Sequence, residues 1–178
     1  SLRRIETSNT TPNIQPPTYG LPISTLVQIT QITNRNELMN AVAQDGNALK
    51  RASDYLKNDK EVVFAAVQQN GLALEYASEE LKNDKDVVLV AVQNDPYALK
   101  YASNQLKNFE SVVTLAVSDD GMMLQRVSSE MKNNFQVVFV AVQQNGLALQ
   151  FASNMMKDDR QVVLAAVQEN GLALEYAS

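Results

Sequence analysis

The residue types that most often do chemistry are missing from this chain or stand without partners. It has no His and no Cys. Without imidazole there is no side chain tuned to take protons near neutral pH, and the commonest zinc ligand is gone. Ser-His and Cys-His catalysis are therefore excluded, and thiolate and disulfide chemistry with them. Asp119-Asp120 offers two adjacent carboxylates to a cation, but a hard-cation site needs further oxygen ligands at defined spacing, and none is evident. A Ser recurs at Ser53, Ser78, Ser103, Ser128, Ser153 and Ser178. As a nucleophile it would need a base and an orienting group, and neither accompanies it. No acid stands out as half of a glycosidase pair, and no Gly-rich phosphate loop is present. We expect no catalytic residue, no metal and no cofactor in this chain; by itself it is not an enzyme.

Binding chemistry is better represented. One Lys per repeat recurs at Lys57, Lys82, Lys107, Lys132 and Lys157. This ladder reads either as an anion-binding stripe or as a solvated edge balanced by acids such as Asp59, Glu80 and Asp84; in an acidic body we take the second reading. A second column carries Arg51, Tyr76, Tyr101, Arg126, Phe151 and Tyr176. Aromatic and Arg side chains are what interface hot spots favour, and we expect these to be partly packed with exposed tips. The central copies depart from the pattern. Phe109 and Phe135 stand where other copies carry mostly charged or amide residues, Pro96-Tyr97 replaces Gly-Leu, and Asp119, Asp120, Met122, Met123 and Arg126 are also unusual. An apolar residue in a polar loop marks a contact patch or records drift. The partner-binding candidates are Tyr97, Tyr101, Phe109, Asp119, Asp120, Arg126 and Phe135.

These columns exist because the chain repeats itself. EVVFAAVQQNGLALEYASEELKNDK begins at Glu61, DVVLVAVQNDPYALKYASNQLKNFE at Asp86, SVVTLAVSDDGMMLQRVSSEMKNNF at Ser111 and QVVFVAVQQNGLALQFASNMMKDDR at Gln136. A truncated copy runs from Gln161 to Ser178, and a degenerate one begins at Asn36. The spacing predicts an all-α fold: an α-solenoid of six tandem helix-turn-helix repeats of period 25, over 36–60, 61–85, 86–110, 111–135, 136–160 and 161–178. One such hairpin cannot bury its own apolar face, but stacked hairpins can.

Within a repeat, Val62, Val63, Ala66 and Val67 fall at helical spacing and predict a first helix over 59–69. Asn58 and Glu61 are placed like a capping box at its start. Asn70-Gly71 ends it, with Gly supplying a left-handed C-terminus. A second helix is predicted over 72–82, burying Ala73, Leu74, Ala77 and Leu81. Ser78 leaves two readings open: a small mid-helix residue that lets helices approach, or the start of a fresh turn over Glu79-Glu80-Leu81.

Residues 1–22, with Pro12, Pro16, Pro17 and Pro22 among Ser, Thr and Asn, read as a flexible arm. Residues 23–35 read as a partial N-terminal cap, packing like a degenerate second helix in preference to a short strand. The last copy stops in mid-helix at Ser178, and the chain does not begin with Met, so we expect the parent protein to continue.

The chain has 15 basic and 20 acidic residues; three basic and one acidic lie in 1–35, leaving 12 and 19 in the repeats. An acidic body argues against a nucleic-acid partner. No apolar run is long enough to span a bilayer and no secretory signal is visible. These features permit the cytosol and equally permit delivery into another cell.

The motif VVxAAVxxNGxALxYASxxLKND, read at Val62–Asp84 and again at Val137–Asp159, resembles the domain-of-unknown-function repeat found in tandem in effectors of intracellular bacterial pathogens, in unicellular eukaryotes and in giant viruses. The resemblance covers about residues 36–178. It implies an all-helical repeat and an effector context, and carries no activity or catalytic residue. The copies containing Pro96 and beginning at Ser111 depart from it. The expected function is a non-catalytic protein-interaction scaffold, with a host protein as partner in an effector context. The alternative is an accessory, substrate-positioning region of an enzyme whose catalytic domain lies outside these residues. A peptide or small-ligand groove is a third option.

Overall fold

The computed structural model describes residues 31–178. The expected arm and most of the expected cap, residues 1–30, lie outside the described residues. Within them the fold is all-helical and built from tandem repeats. Ten-residue α-helices occupy Arg35–Gln44, Lys60–Gln69, Lys85–Asn94, Glu110–Asp119, Phe135–Gln144 and Arg160–Glu169. Each packs on the next, presenting the same stripe: Val62, Val63, Ala66 and Val67 are fully buried, as are Val87, Val88, Ala91 and Val92.

The segment after each long helix corrects the expected single second helix. It splits in two. Gly71–Tyr76 is a 3-10 helix and Glu79–Lys82 a separate four-residue α-helix. The break falls at Ala77-Ser78, where the backbone is extended (φ -66, ψ 158 and φ -62, ψ 158). Ser78 Oγ accepts the Leu81 N–H at 3.2 Å, so Ser78 is an N-cap and the fresh-turn reading holds. The expected buried residues survive the split, because Ala73, Leu74, Ala77 and Leu81 are all buried.

The expected capping box is corrected too. Asn58 closes the preceding short helix. Asp59 is the N-cap of Lys60–Gln69, its carboxylate accepting from the N–H groups of Glu61 (3.1 Å) and Val62 (3.2 Å).

Gly71 has a different reason from the one expected. No described glycine has positive φ. Gly71 opens the 3-10 helix, and a Cβ there would collide with the Ala91 carbonyl oxygen of the next long helix. Glycine is required because two backbones touch, and this contact sets how closely consecutive repeats pack.

At the N-terminal side, residues 31–34 are non-helical. Ile32 is buried and forms an isolated parallel bridge with Ala52. Its carbonyl accepts the Ser53 N–H at 2.9 Å. Lys57 does the same for Ser78 one repeat later, so residues 31–34 supply the backbone rung that a later repeat takes from its short helix.

Candidate functional site

Three kinds of hydrogen bond recur between consecutive repeats. The first is backbone to backbone: the Ser78, Ser103, Ser153 and Ser178 N–H groups donate to the carbonyls of Lys57, Lys82, Lys132 and Lys157 at 2.9–3.1 Å. The second runs from the same Ser hydroxyls to the preceding repeat: Ser78 to Asn58, Ser103 to Asn83 and Ser153 to Asn133, at 2.5–2.6 Å. The third takes the N–H of the close-packed glycine to a side chain on the next long helix: Gly71 to Asn94 Oδ1 (2.6 Å), Gly121 to Gln144 Oε1 (2.7 Å) and Gly146 to Glu169.

At the junction of the third and fourth repeats all three are missing among the described residues. Ser128 N–H does not reach Lys107, and the Ser128 hydroxyl does not reach Asn108; it only accepts from Met131 N–H at 3.3 Å. The glycine position holds Pro96, which has no N–H to give, and the side chain that would have accepted is Asp119. Proline suits the first turn of the 3-10 helix Pro96–Tyr101, which Asp95 caps at the Tyr97 N–H (2.8 Å). The 3-10 helices Pro96–Tyr101 and Gly121–Arg126 touch far less than the other consecutive pairs, although Pro96–Tyr101 packs on the next long helix much as its counterparts do.

Between these repeats lies a cleft of about 340 Å³ lined by Leu99, Lys100, Lys107, Met123, Arg126 and Val127. Leu99, Met123 and Val127 are buried and form an apolar floor. The rim is cationic. Lys100 Nζ lies 4.4 Å from the Tyr101 ring centroid, and the Arg126 guanidinium 5.2 Å from that of Tyr97, both within cation–π range. Lys107 belongs to the Lys ladder, whose earlier members are paired three residues back: Lys57 with Asp54 (3.9 Å) and Lys82 with Glu79 (2.8 Å). These partners differ from the acids expected to balance the ladder. At the corresponding place Lys107 has Asn104. None of the three rim cations has a carboxylate partner among the described residues.

The sequence-derived candidates divide among several places. Tyr97, Tyr101 and Arg126 gather at the cleft, with Tyr97 41% exposed and Tyr101 half-buried against the core. Tyr76, Phe151 and Tyr176 of the same column are also half-buried against the core, and burial raises the Tyr76 hydroxyl pKa. Phe109 and Phe135 stand at the N-termini of consecutive long helices, both partly exposed. Phe135 stacks on Phe139 (centroids 5.4 Å apart). Asp120 caps the Met122 N–H at 2.9 Å. The exposed Asp119 receives a bond only at its backbone carbonyl, from Gln144 Nε2 at 3.1 Å. No cluster of three or more His, Cys, Asp or Glu among the described residues could hold a metal. Leu99, Lys100, Lys107 and Val127 were absent from the expected site. Two sequence signals lie beside them: a proline in a glycine column, and Val127 where the other copies carry Ala52, Ala77, Ala102, Ala152 and Ala177.

A second ladder runs along the long-helix N-termini, where the first residue of one helix meets the N-cap of the next. Arg35 pairs with Asp59 (2.7 Å) and also with Glu61, and Lys60 pairs with Asp84 (2.7 Å). The hydrogen bond from Arg35 holds the Asp59 carboxyl below its ordinary range. At Asp84 burial pushes upward, but the Lys60 ammonium and the Val87 and Asp86 N–H groups outweigh it and the net shift is down. The hydrogen bond to Asp84 in turn raises Lys60. Further along, Asn134 Nδ2 donates to Glu110 at 2.9 Å.

The architecture defines a helical tandem-repeat protein in which, among the described residues, the recurring hydrogen bonds between repeats lapse together at one internal junction. Residues 34–82, 60–107, 110–157 and 141–178 match the domain of unknown function (DUF4116), and the chain belongs to that family. No curated protein and no solved structure matches it. No helix among the described residues is long and apolar enough to cross a membrane.

Proposed function

We propose that this chain is a non-catalytic protein-binding scaffold: six 25-residue repeats stacked as an α-solenoid, with the partner seated on the central repeats. One observation carries the reading. Two of the departures, Tyr97 and Arg126, meet at the junction between the third and fourth repeats and are exposed there, residue types that anchor interfaces. The effector context, drawn from the family resemblance, would make the partner a host protein.

The test is affinity capture from eukaryotic lysate with the whole chain as bait. The control bait has residues 86–135 rewritten as two copies of 61–85. A protein retained by the native chain, lost with the control, and bound again when purified supports the scaffold and its central site. Capture by neither bait overturns the scaffold; equal capture overturns the central site.

A further inference from the structure

We propose that the cleft between the third and fourth repeats seats one apolar side chain of a partner protein, carried on a segment whose flanking residues are acidic. This deepens the scaffold reading and rests on it. The volume, about 340 Å³, is at the low end for ligand sites, which run from about 300 to 1,000 Å³, and suits one side chain with its backbone. The floor of Leu99, Met123 and Val127 rewards an apolar group. The rim commits the occupant's charge. Lys100, Lys107 and Arg126 line the cleft, no acid does, and none of the three is neutralised by a carboxylate among the described residues. Tyr97 and Tyr101 lie against the Arg126 and Lys100 head groups and orient them. In an acidic body this is a local reversal of sign, which attracts a short acidic segment while the surrounding surface repels a long polyanion.

The chain contains six methionines, and Met123 is in the cleft floor. Labelling the full chain with ε-13C-methionine therefore places a reporter at the site, assigned with Met123→Leu. The probe is the capped pentapeptide Asp-Asp-Leu-Asp-Asp. It is expected to shift the Met123 methyl saturably and to leave the exposed Met155 in place. Its Lys-for-Asp and Gly-for-Leu counterparts are expected to do neither. Lys107→Gln with Arg126→Gln should weaken binding by about tenfold or more, as loss of charge-assisted contacts implies, with helical circular dichroism unchanged.

The proposal is overturned if the acidic peptide leaves Met123 unmoved at millimolar concentration, if the basic peptide binds equally, or if octanoate binds and the peptide does not. It is also overturned if Met123 shifts with protein concentration alone, which would assign the cleft to a second copy. Peptide binding without any captured protein would leave the cleft standing and sink the scaffold. A captured protein still held by the Lys107→Gln, Arg126→Gln chain would do the reverse.

Discussion

Lys85 Nζ lies 4.4 Å from the centroid of the Phe109 ring, at the rung where the two preceding repeats place a cation against a carboxylate. Phe109 occupies the N-cap of Glu110–Asp119 and makes no side-chain cap hydrogen bond. The rung is thus kept by exchanging an ion pair for a cation–π contact, while the cap is lost. Phe109→Asp should restore both cap and ion pair. We expect a net gain of up to about 1.5 kcal/mol from chemical denaturation, since an N-cap contributes about 1 kcal/mol, a surface ion pair about 0–1, and the cation–π contact they replace is worth about 0.5–1. A loss of stability would show that the ring is core.

The close approach at the glycines predicts opposite outcomes for one substitution at two places. Gly71→Ala should cost about 1–3 kcal/mol, because its Cβ meets the Ala91 carbonyl oxygen and the repeats must separate. At Gly171 a Cβ meets nothing within 4 Å, so Gly171→Ala should be neutral or stabilising by up to about 1 kcal/mol. Equal effects would refute the packing explanation.

The serine column makes a similar contrast. Ser103→Ala removes the Leu106 N–H cap and the bond to Asn83. Ser128→Ala removes only the cap on Met131. Ser103→Ala should therefore be the more damaging by about 1 kcal/mol, the worth of one hydrogen bond. Urea unfolding of both variants measures the difference; a larger cost at Ser128 would show that the junction is closed in solution.

Leu74 and Leu149 are fully buried in equivalent 3-10 helices. Their truncation to Ala should cost about 2–5 kcal/mol each. A cost under about 1 kcal/mol at either would show that its side chain is not packed as described.

Acid should weaken the N-terminal ladder. Asp59 and Asp84 have lowered pKa values in the folded chain, so their ion pairs contribute fully above the unfolded carboxyl pKa of about 3.9. The contribution is lost as pH falls through the lower folded values. The Tm should drop as the pH falls below about 4. In a chain carrying Asp59→Asn and Asp84→Asn, which keeps both caps, it should drop less. Parallel pH profiles for the two chains would remove these pairs from the account.

Much of this protein is legible along the chain itself. Helical spacing marks the long helices, and the buried residues Val62, Val63, Ala66, Val67, Ala73, Leu74, Ala77 and Leu81 follow from the repeat. Lack of His and Cys removes the chemistry that depends on them before any coordinate is known. Such features are local: periodicity and composition act within a few residues. The tertiary structure decided what depends on contact between repeats. Ser78 caps a new helix while its hydroxyl bonds to Asn58, 20 residues back. Gly71 is small because Ala91 lies against it, not because its φ is positive. Asp59 outcompetes Asn58 as cap while paired to Arg35. Pro96 looks like one more turn residue until the missing glycine N–H is seen across the junction. A cleft is made by what two repeats fail to share, and that becomes visible only when they are stacked.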